Sequence, residues 1–184
     1  WRNYEGSEKE QPFYSLTNKI NDVCRTIENK LDKQIYSLFE KHRFLQIVYN
    51  FIIFDKGIKK ICRHNQYFGI TEAAYRINNN KGGIIWHTQG SGKSLTMVWL
   101  SKWYLENFAN GRVLIVTDRE ELDDQIAKLY IGVEENISRT KSGKELISYV
   151  RKDSSNISNP NPNFRLVCSL IQKCGRHNGE VTDT

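Results

Sequence analysis

The chain has 184 residues, 39% hydrophobic and 26% charged, with a formal net charge of +6. That length serves one substantial core plus attachments, and the composition is that of a soluble globular protein. It excludes a membrane span, since the longest apolar run, FLQIVYNFIIF, is too short and carries Gln46 and Asn50.

Two regions of different character meet near Asn78-Asn79-Asn80. In the first, Ile20, Val23, Ile27, Leu31, Ile35 and Leu38 recur at spacings of three and four, which draws an apolar stripe along one helix face. The stretch HRFLQIVYNFIIF predicts a second helix with Phe44, Leu45, Val48, Phe51 and Ile52 on a broad face, stopping near Gly57. A third helix is expected from near Asn65 to the asparagines.

Beyond residue 82 strand and helix alternate. Ile84-Ile85-Trp86 reads as a short strand, a glycine turn follows, and SLTMVWLSKWYLENF predicts a long helix ended by Asn110-Gly111. RVLIVT has the pattern of a buried parallel strand. Asp118 with Glu121 reads as an N-cap and capping box for a helix through ELDDQIAKLY, and Ser142 with Glu145 repeats the device before LISYVRK. DSSNISNPNPN is a polar, proline-punctuated loop, and FRLVCSLI is a third strand. The succession predicts an α/β architecture with a parallel sheet and helical crossovers.

The first residues, WRNYEGSEKE, have neither the basic flank nor the apolar stretch of a leader, so a cytoplasmic location is expected. Cys24, Cys62, Cys168 and Cys174 are too sparse for a disulfide framework and are expected as free thiols. Cys168, Cys174 and His177 lack a CxxC pair and a fourth ligand, so zinc is not expected. The positive charge permits a polyanionic partner without requiring one.

Chemistry concentrates in HTQGSGKS. A strand that empties through glycines into a helix aims backbone N–H groups and the helix dipole at one small volume, where an anion belongs. Gly90 and Gly92 permit torsions and close approach that a side chain would block. Lys93 can reach β- and γ-phosphates, and Ser94 can ligate Mg2+. The phosphate-binding loop is often written GxxxxGK(S/T), and His87 stands at the first glycine of that pattern, as a packing or turn residue. The bland alternative is a glycine-rich connection capped by serine. Hydrolysis would further need an acidic residue at the end of another apolar strand. Asp118 follows RVLIVT but reads as a cap, and no apolar strand followed by Asp-Glu occurs before Thr184.

Other candidates read as structure. Trp99 and Trp103, four apart on one helix, pack a core rather than stack on bases. Glu28-Asn29-Lys30 has the local spacing of a metal-dependent nuclease but lies in the first helical stripe as an exposed face. Lys59, Lys60 and Arg63 form a basic run that faces either phosphates or solvent.

Several blocks together resemble the R subunit, the motor and nuclease subunit, of type I restriction-modification enzymes. IKKICRHNQYFGITEAAYRI is similar to that family's glutamine motif, GGIIWHTQGSGKSLTMVWLSKW to its Walker A segment, RVLIVTDREELDDQI to helicase motif Ia, and CSLIQK to the element near motif Ib. Together they cover most of residues 44–176.

The resemblance implies a fragment of a superfamily 2 helicase-like translocase. Residues 1–57 would be a helical connector between nuclease and motor, and residues 58–184 the first part of a RecA-like P-loop NTPase lobe. It implies ATP and Mg2+ as cofactors, with Gln66 on the adenine, Gln89, Gly90, Ser91 and Gly92 as loop backbone, Lys93 as catalytic phosphate ligand and Ser94 on the metal. Thr117, Asp118 and Arg119 match motif Ia, which lies against the DNA backbone in helicases. The implied partners are duplex DNA and the methyltransferase and specificity subunits, with no membrane. In the whole protein the implied activity is ATP-dependent DNA translocation coupled to cleavage, that of an ATP-dependent type I site-specific deoxyribonuclease, while the fragment alone would hydrolyse poorly. Two other functions fit the residues themselves: a small-molecule kinase using the same turn, and a DNA-binding or assembly module in which the turn is vestigial.

Overall fold

Asn29 breaks the N-terminal apolar stripe in two. In the computed structural model, which describes residues 14–150 and 165–174, α1 (Tyr14–Thr26) and α2 (Lys30–Phe39) are separate helices. The Asn29 side chain accepts the Leu31 N–H at 2.8 Å, satisfying an orphan donor of the new helix. The single helix expected here is thus corrected, and so is its buried stripe: Ile20 is buried, but Leu31 and Ile35 are 61% and 47% exposed. Glu28-Asn29-Lys30 is exposed as expected, yet spans this break rather than a mid-helix face.

The second expected helix is too long. Glu40 starts α3 (Lys41–Asn50) by accepting the N–H groups of His42 and Arg43, each at 3.0 Å. The chain then turns into a hairpin, β1 (Ile52–Asp55) and β2 (Ile58–Ile61). Lys56 and Gly57 between them both take positive φ, 51° and 78°, the torsions of a two-residue primed turn that matches strand twist. Ile47 and Phe51 are buried, whereas Phe44, Leu45 and Val48 are exposed, so the broad apolar face is corrected as well.

The remaining helices follow expectation: α4 (His64–Asn78), α5 (Lys93–Asn107), α6 (Glu120–Gly132) and α7 (Gly143–Val150). Strands β3 (Val113–Thr117) and β5 (Leu166–Leu170) do too, with a two-residue β4 (Ser138–Arg139) and a short 3-10 turn, Ile171–Cys174, in addition. The loop DSSNISNPNPN and His177 lie outside the described residues. Among the described residues no helix is long and apolar enough to cross a membrane.

The chain divides into two compact units. One holds the described residues up to Ile53 together with Lys59–Trp103. Its core includes Ile20, Cys24, Ile47, Phe51, Cys62, Tyr67, Ile70, Val98 and Trp99, so Trp99 packs as expected. The buried Arg43 guanidinium lies over the rings of Tyr67 and Phe68, 5.6 and 5.4 Å from their centroids, and donates to the Ser37 carbonyl at 2.8 Å. In this unit Ile84-Ile85-Trp86 forms no strand. A strand exists through its ladder partner, and among the described residues nothing pairs with this segment; Ile84 and Trp86 are each 89% exposed.

The second unit, Phe54–Ile58 and the described residues from Tyr104 onward, carries a three-stranded parallel sheet in the order β3-β5-β4. Val113 stands opposite Leu166, Thr117 opposite Leu170 and Ser138 opposite Val167. Parallel neighbours need crossovers, which α6 and α7 supply, so the α/β class holds. Asp118, however, is no cap: Arg119 occupies the N-cap position of α6 without a side-chain bond, and Asp118 only pairs with Arg119 at 3.7 Å. Ser142 does accept the Glu145 N–H, at 3.3 Å, while the Glu145 carboxylate reaches past it to the Lys141 N–H at 2.7 Å.

One buried carboxylate ties this unit together. Asp123 on α6 accepts from Arg139 Nε on β4 at 2.7 Å and from the Cys168 thiol on β5 at 2.6 Å, and Arg139 also reaches Asp124 at 2.8 Å. Burial first, and then the bond to Asp123, pushes the Cys168 thiol up to about 12. It remains a protonated donor at neutral pH. Near the other end of β5, Arg165 donates to the carbonyls of Leu105, Phe108 and Gly111 at 2.7, 2.9 and 3.3 Å, placing a cation on the end of α5.

Candidate nucleotide site

The start of α4 faces the glycine turn. Gln66, three residues past the N-cap Arg63, uses both ends of its carboxamide. Its Oε1 accepts the Arg63 N–H at 2.8 Å, closing the first turn of the helix, and its Nε2 donates to the Gly92 carbonyl at 2.9 Å. An isolated glutamine at a helix start is ordinarily solvated; this one is 2% exposed. The same Gly92 carbonyl receives the Thr96 N–H at 3.1 Å and the Thr96 hydroxyl at 3.2 Å.

Both loop glycines are required by torsion. Gly90 and Gly92 have φ of +76° and +86°, in the left-handed region where a side chain is strained. Space adds to torsion at Gly92, where a Cβ would sit 2.5 Å from Gln66 Nε2; around Gly90 the space is open. The turn between them is closed by Ser91, whose N–H and hydroxyl donate to the Thr88 carbonyl at 3.3 and 2.7 Å.

Cations converge on this loop. Lys93 Nζ donates to the carbonyls of His87 and Thr88 at 3.3 and 3.1 Å, so the ammonium is folded over the turn. Arg63 Nη1 donates to the Gly90 carbonyl at 3.3 Å. Helix α5 opens at Lys93, which puts Ser94 in its first turn beside unpaired N–H groups. Gln89, Gly90, Ser91, Gly92, Lys93 and Ser94 thus make up the turn that opens α5, with Gln66 bonded to it, an arrangement of N–H groups and cations that can accept an anion.

The remaining sequence candidates divide. From the basic run, Lys59 is exposed and Lys60 half-buried on β2, and Arg63 is bonded to the loop. Thr117 and Arg119 lie in the second unit, at the end of β3. Thr117 is buried with no hydrogen bond to its hydroxyl among the described residues, and Arg119 is exposed. Gln172 Nε2 holds their loop by donating to the Asp118 carbonyl at 3.0 Å.

Three contributors escaped the sequence reading: Arg63 as a loop contact, Thr96 as a second donor to Gly92, and Gly69. A glycine inside a helix is the signal for the last, because it weakens the helix unless something approaches closely. What approaches is His87, a packing residue as expected: a Cβ on Gly69 would lie 3.3 Å from its Nε2.

Comparison with known proteins shows the family of the chain. The chain is 31% identical over 158 residues to the MjaIXP endonuclease subunit assigned to a type I restriction enzyme in Methanocaldococcus jannaschii, covering 79% of this chain and 14% of that protein. It is likewise 31% identical over 150 residues to the type I restriction enzyme HindI endonuclease subunit of Haemophilus influenzae, covering 74% of this chain and 13% of the relative. The chain thus spans about a seventh of the length of these curated relatives. The family profile described as SWI2/SNF2 ATPase matches residues 65–183, which takes in Gln66, the glycine cradle and the whole parallel sheet. With well over half of its length so matched, the chain belongs to the SWI2/SNF2 ATPase family.

Proposed function

We propose that this chain is the ATP-binding part of the motor in a type I restriction endonuclease subunit, residues 1–57 leading into a motor lobe that begins near residue 58. The observation that carries the proposal is the Gln66 carboxamide bonded to the Gly92 carbonyl at 2.9 Å, which joins a base-reading group to a phosphate cradle. Lys93 would exchange its two carbonyl partners for β- and γ-phosphate oxygens, and the Ser94 hydroxyl would ligate Mg2+. The Gln66 carboxamide spends one lone pair and one N–H on its present bonds, which leaves the second lone pair and the second N–H for N6 and N7 of adenine. In the whole protein, ATP turnover would drive translocation along duplex DNA coupled to cleavage, in a complex with methyltransferase and specificity subunits.

The test is calorimetry of Mg-ATP and Mg-GTP on the chain, on Lys93→Ala and on Gln66→Ala. The chain should prefer ATP by about tenfold, Lys93→Ala should weaken both nucleotides by roughly a hundredfold, and Gln66→Ala should lose the preference. A chain that binds neither nucleotide, or a Gln66→Ala variant that still discriminates, refutes the proposal.

The loop after β3 is proposed to lie against a DNA phosphate, with Arg119 as the exposed contact and Thr117 supporting from beneath. Duplex affinity should fall with salt, and Arg119→Ala should reduce the slope of log affinity against log salt by about 1. An unchanged slope removes Arg119 from the interface.

A further inference from the structure

Arg63, Gln66 and Gly69 stand three residues apart at the start of α4, along one side of the helix. The first two meet the loop near its end, at Gly90 and Gly92. The third meets it at its beginning. A Cβ built on Gly69 would lie 3.3 Å from Nε2 and 3.4 Å from Cε1 of His87, tighter than most Cβ contacts, so the ring would have to give way. The His87 ring is therefore seated in the space that the missing side chain leaves. Its Nδ1 is buried with no hydrogen-bond partner among the described residues, so packing rather than polar bonding sets its place.

Resting on the nucleotide reading above, we infer that Gly69 and His87 form a positioning contact that sets where the phosphate loop begins, as Gln66 sets where it ends. The argument runs through the backbone of His87. Its carbonyl and that of Thr88 hold Lys93 Nζ at 3.3 and 3.1 Å, so displacing the ring displaces the acceptors that position the ammonium. An imidazole at the place of the loop pattern's first glycine thus has a stated use: it is the knob, and Gly69 is the hole. Neither residue touches the nucleotide. Both act on affinity through Lys93.

Ordinary helix chemistry predicts the opposite sign, which makes the contact testable. Alanine for glycine inside a helix normally stabilises. The experiment compares the chain with Gly69→Ala, His87→Gly and the double variant, by thermal unfolding and by Mg-ATP calorimetry. With His87 present, Gly69→Ala should lower the unfolding temperature and weaken Mg-ATP by about tenfold. With His87→Gly, the same change should raise the unfolding temperature and leave affinity where His87→Gly alone put it. A Gly69→Ala variant that fails to fold while the double variant folds is the same reversal. Equal effects in the two backgrounds, or a gain of stability with unchanged affinity when His87 is present, overturn the inference. A parent chain that binds no nucleotide refutes the nucleotide reading instead, and the unfolding comparison then decides the contact: a reversal of sign upholds it, equal signs overturn it.

Discussion

Arg139→Ala lowers stability by about 3 to 5 kcal/mol, and Asp123→Ala by less, about 1.5 to 3 kcal/mol. The asymmetry follows from which charge is left behind. Without Arg139, the Asp123 carboxylate, 3% exposed, keeps only the Cys168 thiol, and a buried charge without a counterion is expensive. Without Asp123, the guanidinium is 46% exposed and still has Asp124 at 2.8 Å, so water and that carboxylate receive it. Midpoints of denaturant unfolding with unchanged slope read both losses. Equal losses would mean that Asp123 is solvated, and the knot joining α6, β4 and β5 would not be the anchor described.

Gly92→Ala weakens Mg-ATP by roughly a hundredfold, whereas Gly90→Ala weakens it by about tenfold. Both substitutions place a Cβ on left-handed backbone, at φ of +86° and +76°. Only at Gly92 does that carbon also meet a neighbour, 2.5 Å from Gln66 Nε2. The glutamine must then leave its buried seat and lose its bonds to the Arg63 N–H and the Gly92 carbonyl together. Calorimetry on the two variants separates backbone strain from the glutamine contact. Identical losses would show that Gln66 is not coupled to the loop.

What was legible in the sequence depended on the range of the interaction. Helices α4 to α7 and strands β3 and β5 follow from periodicity or from a continuous apolar run, both local. The break at Asn29 was hidden because Ile27 and Leu31 remain four apart across it, so the stripe stays in phase while the helix does not. The hairpin carried a local signal, glycine after lysine between two β-branched stretches, but an apolar helical pattern running into it obscured the change of period. Ile84 to Trp86 has the composition of a strand and, among the described residues, lacks a partner, which no local pattern can report. In the site, loop residues and Gln66 were readable as motifs, while the bond joining them spans 26 positions and needed coordinates. Gly69 carried a local signal, a glycine inside a helical stretch, but the ring that fills the space beside it lies 18 positions on and needed coordinates.

The Gly92 carbonyl has a last consequence. Three donors hold it: Gln66 Nε2, the Thr96 N–H and the Thr96 hydroxyl. A peptide group is rigid, and its N–H points opposite to its C=O. Fastening that oxygen therefore aims the Lys93 N–H outward and stops the plane from rotating. An oxyanion bound there would find the dipole already oriented, so the entropy of alignment would be lost during folding rather than at binding.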